Sequence, residues 1–205
     1  DSLSLDKAFF SNLSDILSSF SERKSNKNME GIIAVKNVLD INKLPSPNLE
    51  KFPIHKYSYA PALSFKPFFT LQGSLGCPYS CGYYCTYGAL QGKKIFQRSP
   101  KNIVDDIIKL KQSYGIKSIQ FRDPVFGLNK GFIDDFCYEL KKRKVEIKWG
   151  METRSDLLND QNLSKMFDVG LRLINIGIET VDPTIAKHNK RKLVNNDHQE
   201  KVINF

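Results

Sequence analysis

Ser99-Pro100-Lys101-Asn102-Ile103-Val104-Asp105-Asp106-Ile107-Ile108-Lys109-Leu110-Lys111-Gln112-Ser113-Tyr114-Gly115-Ile116-Lys117-Ser118-Ile119-Gln120-Phe121 reads as one helix and the strand that follows it. Ser99 can cap the first free N–H groups, and Pro100 suits the first helical position, where its missing N–H would have no partner anyway. Ile103, Val104, Ile107, Ile108 and Leu110 recur at helical spacing, and Gly115 closes the helix where a left-handed residue is favoured. Ser118-Ile119-Gln120-Phe121 then reads as a strand ending at Arg122-Asp123-Pro124.

The same alternation repeats outward. Phe68-Phe69-Thr70-Leu71 reads as a strand that enters a loop over residues 73–85. Asn129 is placed to cap a helix carrying Phe132, Ile133, Phe136 and Leu140. Val145-Glu146-Ile147-Lys148-Trp149 alternates as a third strand and leads to Glu152 and Arg154. A helix through Leu163, Met166 and Phe167 stops at Gly170. Residues 171–178 form a fourth strand with Glu179 at its end, Asp182-Pro183 opens another helix, and Asp197 begins one more. Strands alternating with helices predict βαβ units on a parallel sheet. Four such units do not close a barrel. The expected fold is therefore α/β, a partial (β/α) barrel of parallel strands that is incomplete at its C-terminus.

Upstream, Leu5, Phe9, Leu13, Ile16, Leu17 and Phe20 recur at steps of three and four, which predicts an amphipathic helix over residues 4–20. Gly31-Ile32-Ile33-Ala34-Val35 reads as a short strand. Pro45, Pro47, Pro53, Pro61 and Pro67 then oppose both helix and interior strand, so an extended linker is expected. The expected division is a short α/β tail at residues 1–43, a proline-rich linker at 44–67 and the main α/β domain at 68–205. The chain starts at Asp1 without an initiator Met, so an upstream part is expected to be missing.

A hydrophobic content of 40% with 26% charged residues is ordinary for a soluble globular protein. No apolar run approaches the roughly 20 residues needed to span a bilayer. No basic start followed by an apolar stretch marks a secretory signal. A cytoplasmic protein with no membrane association is expected. The net charge of +9 would attract nucleic acid, anionic lipid or an acidic partner. It is scattered in short runs, among them Lys141-Lys142-Arg143-Lys144 and Lys190-Arg191-Lys192, which read as solvated helix ends and loops.

Chemistry concentrates in Gly76-Cys77-Pro78-Tyr79-Ser80-Cys81-Gly82-Tyr83-Tyr84-Cys85. Cys137, at helical spacing with Phe136 and Leu140, reads as a small core residue. Three thiolates on one loop can hold three corners of an iron–sulfur cubane and leave the fourth iron open. Zinc is the competing reading and gives a zinc-stabilised interaction module. It wants four ligands, and His55, His188 and His198 stand in no knuckle-like spacing. Arg122, Asp123, Glu152, Arg154 and Glu179 fall where strands end, which is where parallel α/β folds bind ligands.

On these residues the chain resembles the radical S-adenosylmethionine superfamily. The usual signature of that family is Cys-x-x-x-Cys-x-x-Cys after the first barrel strand, with an aromatic residue before the last cysteine. Cys77-x-x-x-Cys81 and Tyr84 match it. Gly82-Tyr83-Tyr84 make the second gap one residue longer, so the extra residue must bulge, and Gly82 can supply the backbone freedom. Arg98-Ser99-Pro100, Asn102-Ile103-Val104, Phe121-Arg122-Asp123-Pro124-Val125-Phe126, Glu152-Thr153-Arg154 and Gly177-Ile178-Glu179-Thr180 resemble the subgroup with an N-terminal cobalamin-binding domain. Residues 1–43 would then be the tail of that domain. No Asp-x-His-x-x-Gly signature occurs here, so cobalamin is expected only in a full-length protein.

The resemblance implies a [4Fe–4S] cluster on Cys77, Cys81 and Cys85, with S-adenosylmethionine on the open iron. It implies reductive cleavage to methionine and a 5′-deoxyadenosyl radical. Tyr84 would lie beside the adenine, Arg122 and Asp123 near the methionyl amine, and Glu152, Arg154 and Glu179 toward ribose and carboxylate. The implied enzyme is a cobalamin-class methyltransferase or cyclase acting on a small-molecule substrate, with no catalytic residue assigned. Flavodoxin or ferredoxin would supply electrons. A tRNA-modifying radical enzyme suits the positive charge, but no aromatic-interleaved RNA-binding repeat is present, so nucleic acid is not favoured.

Overall fold

A computed structural model describes residues 40–82 and 84–205. The helix expected over residues 4–20 and the strand expected over 31–35 lie outside the described residues. The chain divides into two compact units, Asp1–Ser46 and Pro47–Phe205. In the first, Asp40 caps a 3-10 turn at Ile41–Lys43, its carboxylate accepting from the Asn42 N–H at 3.0 Å.

The second unit begins in the proline-rich stretch. Residues 47–67 form neither an α-helix nor a sheet strand, in keeping with their prolines. They fold through a 3-10 turn at Ile54–Lys56 and a bridge between Tyr59 and Leu63. Leu49 and Ile54 join the core, and the Leu49 N–H donates to the Tyr114 hydroxyl at 3.0 Å. This stretch therefore packs on the domain it precedes.

The main elements follow in chain order: β1 (Phe68–Leu71), β2 (Ser74–Leu75), α1 (Tyr87–Leu90), β3 (Phe96–Gln97), α2 (Pro100–Tyr114) and β4 (Ser118–Phe121). After them come α3 (Phe132–Lys142), β5 (Lys148–Thr153), α4 (Asp160–Asp168), β6 (Leu171–Ile176), α5 (Pro183–His188) and α6 (Asn196–Ile203). The sheet order is β1-β4-β5-β6 and every pairing is parallel, with Phe68 opposite Ser118, Ser118 opposite Lys148, and Gly150 opposite Leu173. This is the expected α/β fold of parallel strands, with four strands that do not close into a barrel. β2 and β3 pair antiparallel and close the base of the cysteine loop, a pairing absent from the sequence reading.

Helix α2 forms as its punctuation dictates. The Ser99 hydroxyl accepts from the Asn102 N–H at 3.2 Å, and Gly115 takes φ +65°. The third strand starts later than expected. The Val145 N–H bonds the Leu140 carbonyl at 2.9 Å and Lys144 turns left-handed, so Val145 serves the end of α3 and pairing begins only at Lys148. Helix α3 likewise starts from Gly131, at φ +82°, two residues past the expected Asn129.

Between sheet and helices lie Phe121, Phe126, Phe136 and Trp149, all at 0% exposure and mostly edge-to-face, with centroids 4.6–5.9 Å apart. On the opposite face Gln120 lies across Gly150, where a β-carbon would come within 2.2 Å of Gln120 Oε1 and 2.9 Å of the Leu173 β-carbon, so a larger residue would have to displace the Gln120 side chain. We expect Phe121→Ala to lose about 3–5 kcal/mol in urea unfolding followed by circular dichroism. A loss below about 1 kcal/mol would show that the core does not rest on this cluster.

Candidate functional site

The cysteine loop leaves β2 and returns through α1 and β3. Its base is clamped by Asp123, the second residue past β4. Asp123 is 1% exposed; Oδ1 accepts from the Gly73 N–H and Oδ2 from the Ser74 hydroxyl, each at 2.7 Å. Burial pushes this carboxyl up to about 6, against the lowering influence of the Ser74 and Gly73 donors. Next along, Gly76 takes φ +87°, where a β-carbon would meet the Lys94 carbonyl oxygen at 2.0 Å, and the Cys77 N–H donates to the Gly92 carbonyl at 3.0 Å.

Cys77, Cys81 and Cys85 line one cavity of about 480 Å³ at the carboxyl ends of the strands. Burial raises the Cys77 thiol, the charges of Cys85 and Cys81 raise it further, and the Tyr79 backbone and Arg154 oppose them. Cys81 and Cys85 thus both lie within electrostatic reach of Cys77. Among the described residues no three Cys, His, Asp or Glu side chains converge where a single metal ion would sit. Of the histidines, the His198 ring nitrogen is taken up by the Ser155 carbonyl at 2.9 Å. A cubane places each thiolate on a different iron and so needs ligands spaced around a body rather than a point. A cavity bordered by three cysteines fits that donor set.

The strand ends complete the wall. Arg122, half-exposed, pairs with Glu152 of β5 above the cavity. Tyr87 lines the same wall, its phenol raised first by burial and then by the Glu152 charge. Arg154 is 6% exposed; its Nε and Nη2 reach the Asp156 carboxylate at 2.8 and 3.2 Å, and its guanidinium lies 4.5 Å above the Tyr79 ring. Burial alone would raise the Asp156 carboxyl, but hydrogen bonds and charge from Arg154 and Lys192 outweigh it and hold the group below its ordinary range. Glu179, at a left-handed φ of +56°, pairs with Arg191 at 2.5 Å. A non-glycine residue in that region costs on the order of 1 kcal/mol and persists where its surroundings enforce it.

Of the residues singled out from the sequence, Cys77, Cys81, Cys85, Tyr84, Arg122, Glu152, Arg154 and Glu179 all face this cavity. Asp123 does not. Both of its oxygens accept from Gly73 and Ser74, so it holds the base of the loop. The sequence reading missed Tyr79, Tyr87, Asn175 and Arg191, which line the cavity as well. Tyr79 was open to discovery as an aromatic inside the cysteine loop. Arg191 carried no local signal, since its partner Tyr84 lies 107 residues away.

Residues 71–204 match the family model described as the Radical SAM superfamily. The chain belongs to the radical SAM superfamily. It is 28% identical over 180 residues to an uncharacterized methyltransferase of Pyrococcus horikoshii, covering 84% of this chain and 39% of that protein. It is 30% identical over 106 residues to the anaerobic magnesium-protoporphyrin IX monomethyl ester cyclase of Rubrivivax gelatinosus, covering 51% of this chain and 19% of the cyclase. The chain thus spans well under half the length of these relatives. Among solved structures, the cobalamin-dependent S-adenosylmethionine radical enzyme OxsB shares the fold, with a TM-score of 0.69 and 18% identity over 93% of this chain and 30% of that one. TsrM of Kitasatospora setae, a radical S-adenosylmethionine methyltransferase, aligns with a TM-score of 0.59 and 16% identity over 67% of this chain and 27% of that one. Family and relatives together make this radical SAM chain an enzyme. Among its described residues no helix is long and apolar enough to cross a membrane.

Because the folded state holds the Asp123 proton more tightly than an ordinary carboxyl of about 3.9, the stability linked to it is full below about pH 4 and lost as pH rises through about 6. Urea stability should therefore fall across that window by at most about 1.4 kcal/mol per pH unit. The slope should vanish in Asp123→Asn, whereas parallel profiles for the two proteins would contradict the assignment.

Proposed function

We propose that the chain is the cluster-bearing core of a cobalamin-class radical enzyme, a methyltransferase or cyclase acting on a small-molecule substrate. The observation that carries this reading is the opening of Cys77, Cys81 and Cys85 into one cavity walled by charged strand ends. The names of the relatives support the reaction classes. The likeness to OxsB supports the subgroup. Residues 1–43 would be the tail of a cobalamin-binding-like domain, residues 44–67 its connection, and residues 68–205 the radical SAM core. A cytoplasmic location suits thiolates that must stay reduced.

Cys77, Cys81 and Cys85 would hold three irons of a [4Fe–4S] cluster and leave one corner toward the cavity. When bound, the cluster would supply the one electron needed for reductive cleavage of S-adenosylmethionine to methionine and a 5′-deoxyadenosyl radical. The chain's own residues bind, orient and exclude water. Arg122 and Glu152 present opposite charges side by side, suited to a carboxylate and an amine. Tyr84, 41% exposed, offers a ring face for adenine. Glu179 and Asn175, from the end of β6, offer acceptors for ribose hydroxyls. Arg154, held by Asp156, supports Tyr79 through its ring face.

Anaerobic reconstitution should load about four irons per chain. Reduction with S-adenosylmethionine should then yield 5′-deoxyadenosine and methionine in equal amounts, at least about a hundredfold less with Cys81→Ser. One equivalent of zinc, no iron and no 5′-deoxyadenosine would overturn the reading. An acidic flavodoxin or ferredoxin docked on the basic surface should reduce the cluster more slowly as ionic strength rises, and unchanged rates would exclude that donor mode.

A further inference from the structure

Within the run Lys190-Arg191-Lys192 the two lysines are exposed, but Arg191 does not behave as a solvated charge. The Arg191 side chain is only 13% exposed, and Lys190 turns the backbone left-handed at φ +52° directly after α5. The Asn189 carbonyl accepts from the Gly82 N–H at 2.7 Å, and a β-carbon on Gly82 would come within 3.1 Å of that oxygen and of Asn189 Oδ1. Arg191 spreads its guanidinium over the Tyr84 hydroxyl at 3.4 Å, Glu179 Oε2 at 2.5 Å and the Gly177 carbonyl. Gly82 and Tyr84 both belong to the gap between Cys81 and Cys85. The Lys192 carbonyl accepts from Arg154 Nη2 at 3.3 Å, and Arg154 covers Tyr79 in the gap between Cys77 and Cys81.

We propose that residues 189–192 form a strap that fixes both gaps of the cysteine loop, with Arg191 as the positioning residue for Cys85. The physical case is one of reach and geometry. The described residues between 77 and 86 lie in no helix or strand, so their shape depends on contacts from outside. Two contacts come to the longer gap from one short segment, one through backbone and one through a side chain. Glycine at 82 lets the Asn189 carbonyl approach closely, as the small clearance shows. A forked guanidinium can hold a hydroxyl, a carboxylate and a carbonyl together, which a lysine ammonium at the same place would do with less fixed geometry. Glu179 is thereby turned toward Arg191 while it still borders the cavity. The strap couples the end of β6 to the loop that carries Cys81 and Cys85.

This inference rests on the proposed reading that the three cysteines hold the cluster. Its test begins without the cluster. In the reduced, iron-free full chain, iodoacetamide labelling of each cysteine is followed by peptide mass spectrometry for the native protein, Arg191→Met, Arg191→Lys and Gly82→Ala. Arg191→Met should speed Cys85 labelling about fivefold, in keeping with the loss of a partly exposed ion pair. Arg191→Lys should fall between native and Met, and Gly82→Ala should reproduce the Met effect from the side of the loop. Buried Cys137 serves as the folding control and should stay protected in all four. After anaerobic reconstitution, Arg191→Met should retain less iron and give a broadened or diminished paramagnetic resonance signal for the reduced cluster, with partial recovery in Arg191→Lys. Native-like Cys85 labelling and iron content in both Arg191→Met and Gly82→Ala would overturn the strap. A native chain that takes up no iron would instead defeat the cluster reading and leave the labelling result to judge the strap alone.

Discussion

The buried carboxylate of Asp123 joins two places that chain connectivity leaves separate, the exit of β1 and the end of β4. Its oxygens take the Gly73 N–H and the Ser74 hydroxyl at 2.7 Å each. An ionisable group at 1% exposure is tolerated only when its acceptor sites are filled, and here the filling groups belong to the base of the cysteine loop. The parallel sheet supplies the fixed frame, and this contact transmits it to the base of the cysteine loop. The rest of the site is arranged from that anchor.

Around it, charges are grouped in ion-paired sets. Arg122 meets Glu152, Arg154 and Lys192 share Asp156, and Arg191 meets Glu179. The sets differ in burial and hence in what they can do. Arg154 is locked by its carboxylate partner and an aromatic face, so it shapes the loop. Arg122 is half-exposed and free to exchange partners with a ligand at little cost, since an exposed ion pair is worth about 1 kcal/mol or less. A cavity bordered by both kinds can be rigid at the thiols and adaptable at the opposite wall.

Much of this was legible in the residues. Ser99, Pro100 and Gly115 fixed helix α2 through local chemistry, and local chemistry is what a sequence states directly. The gathering of Arg122, Glu152, Arg154 and Glu179 followed from the rule that parallel strands present their carboxyl ends together. What escaped depended on tertiary partners. The burial pattern at Val145 looked like a strand, but its N–H serves the end of α3. Asp123 looked like its neighbour Arg122, yet the two differ by their direction from one strand end. Arg191 sat in a run of lysines whose composition suggests solvent, and only the return of the chain after α5 brings it against Tyr84.

The central claim is that Cys77, Cys81 and Cys85 face a common body with one corner left vacant. Iron anomalous diffraction from crystals of the anaerobically reconstituted chain tests it most directly. The account predicts a compact four-iron peak in the cavity, in contact with all three sulfurs, with its unligated corner toward the wall formed by Glu152 and Asn175. A peak held by two cysteines with Cys85 turned away, or a single metal ion with four protein ligands, would contradict it.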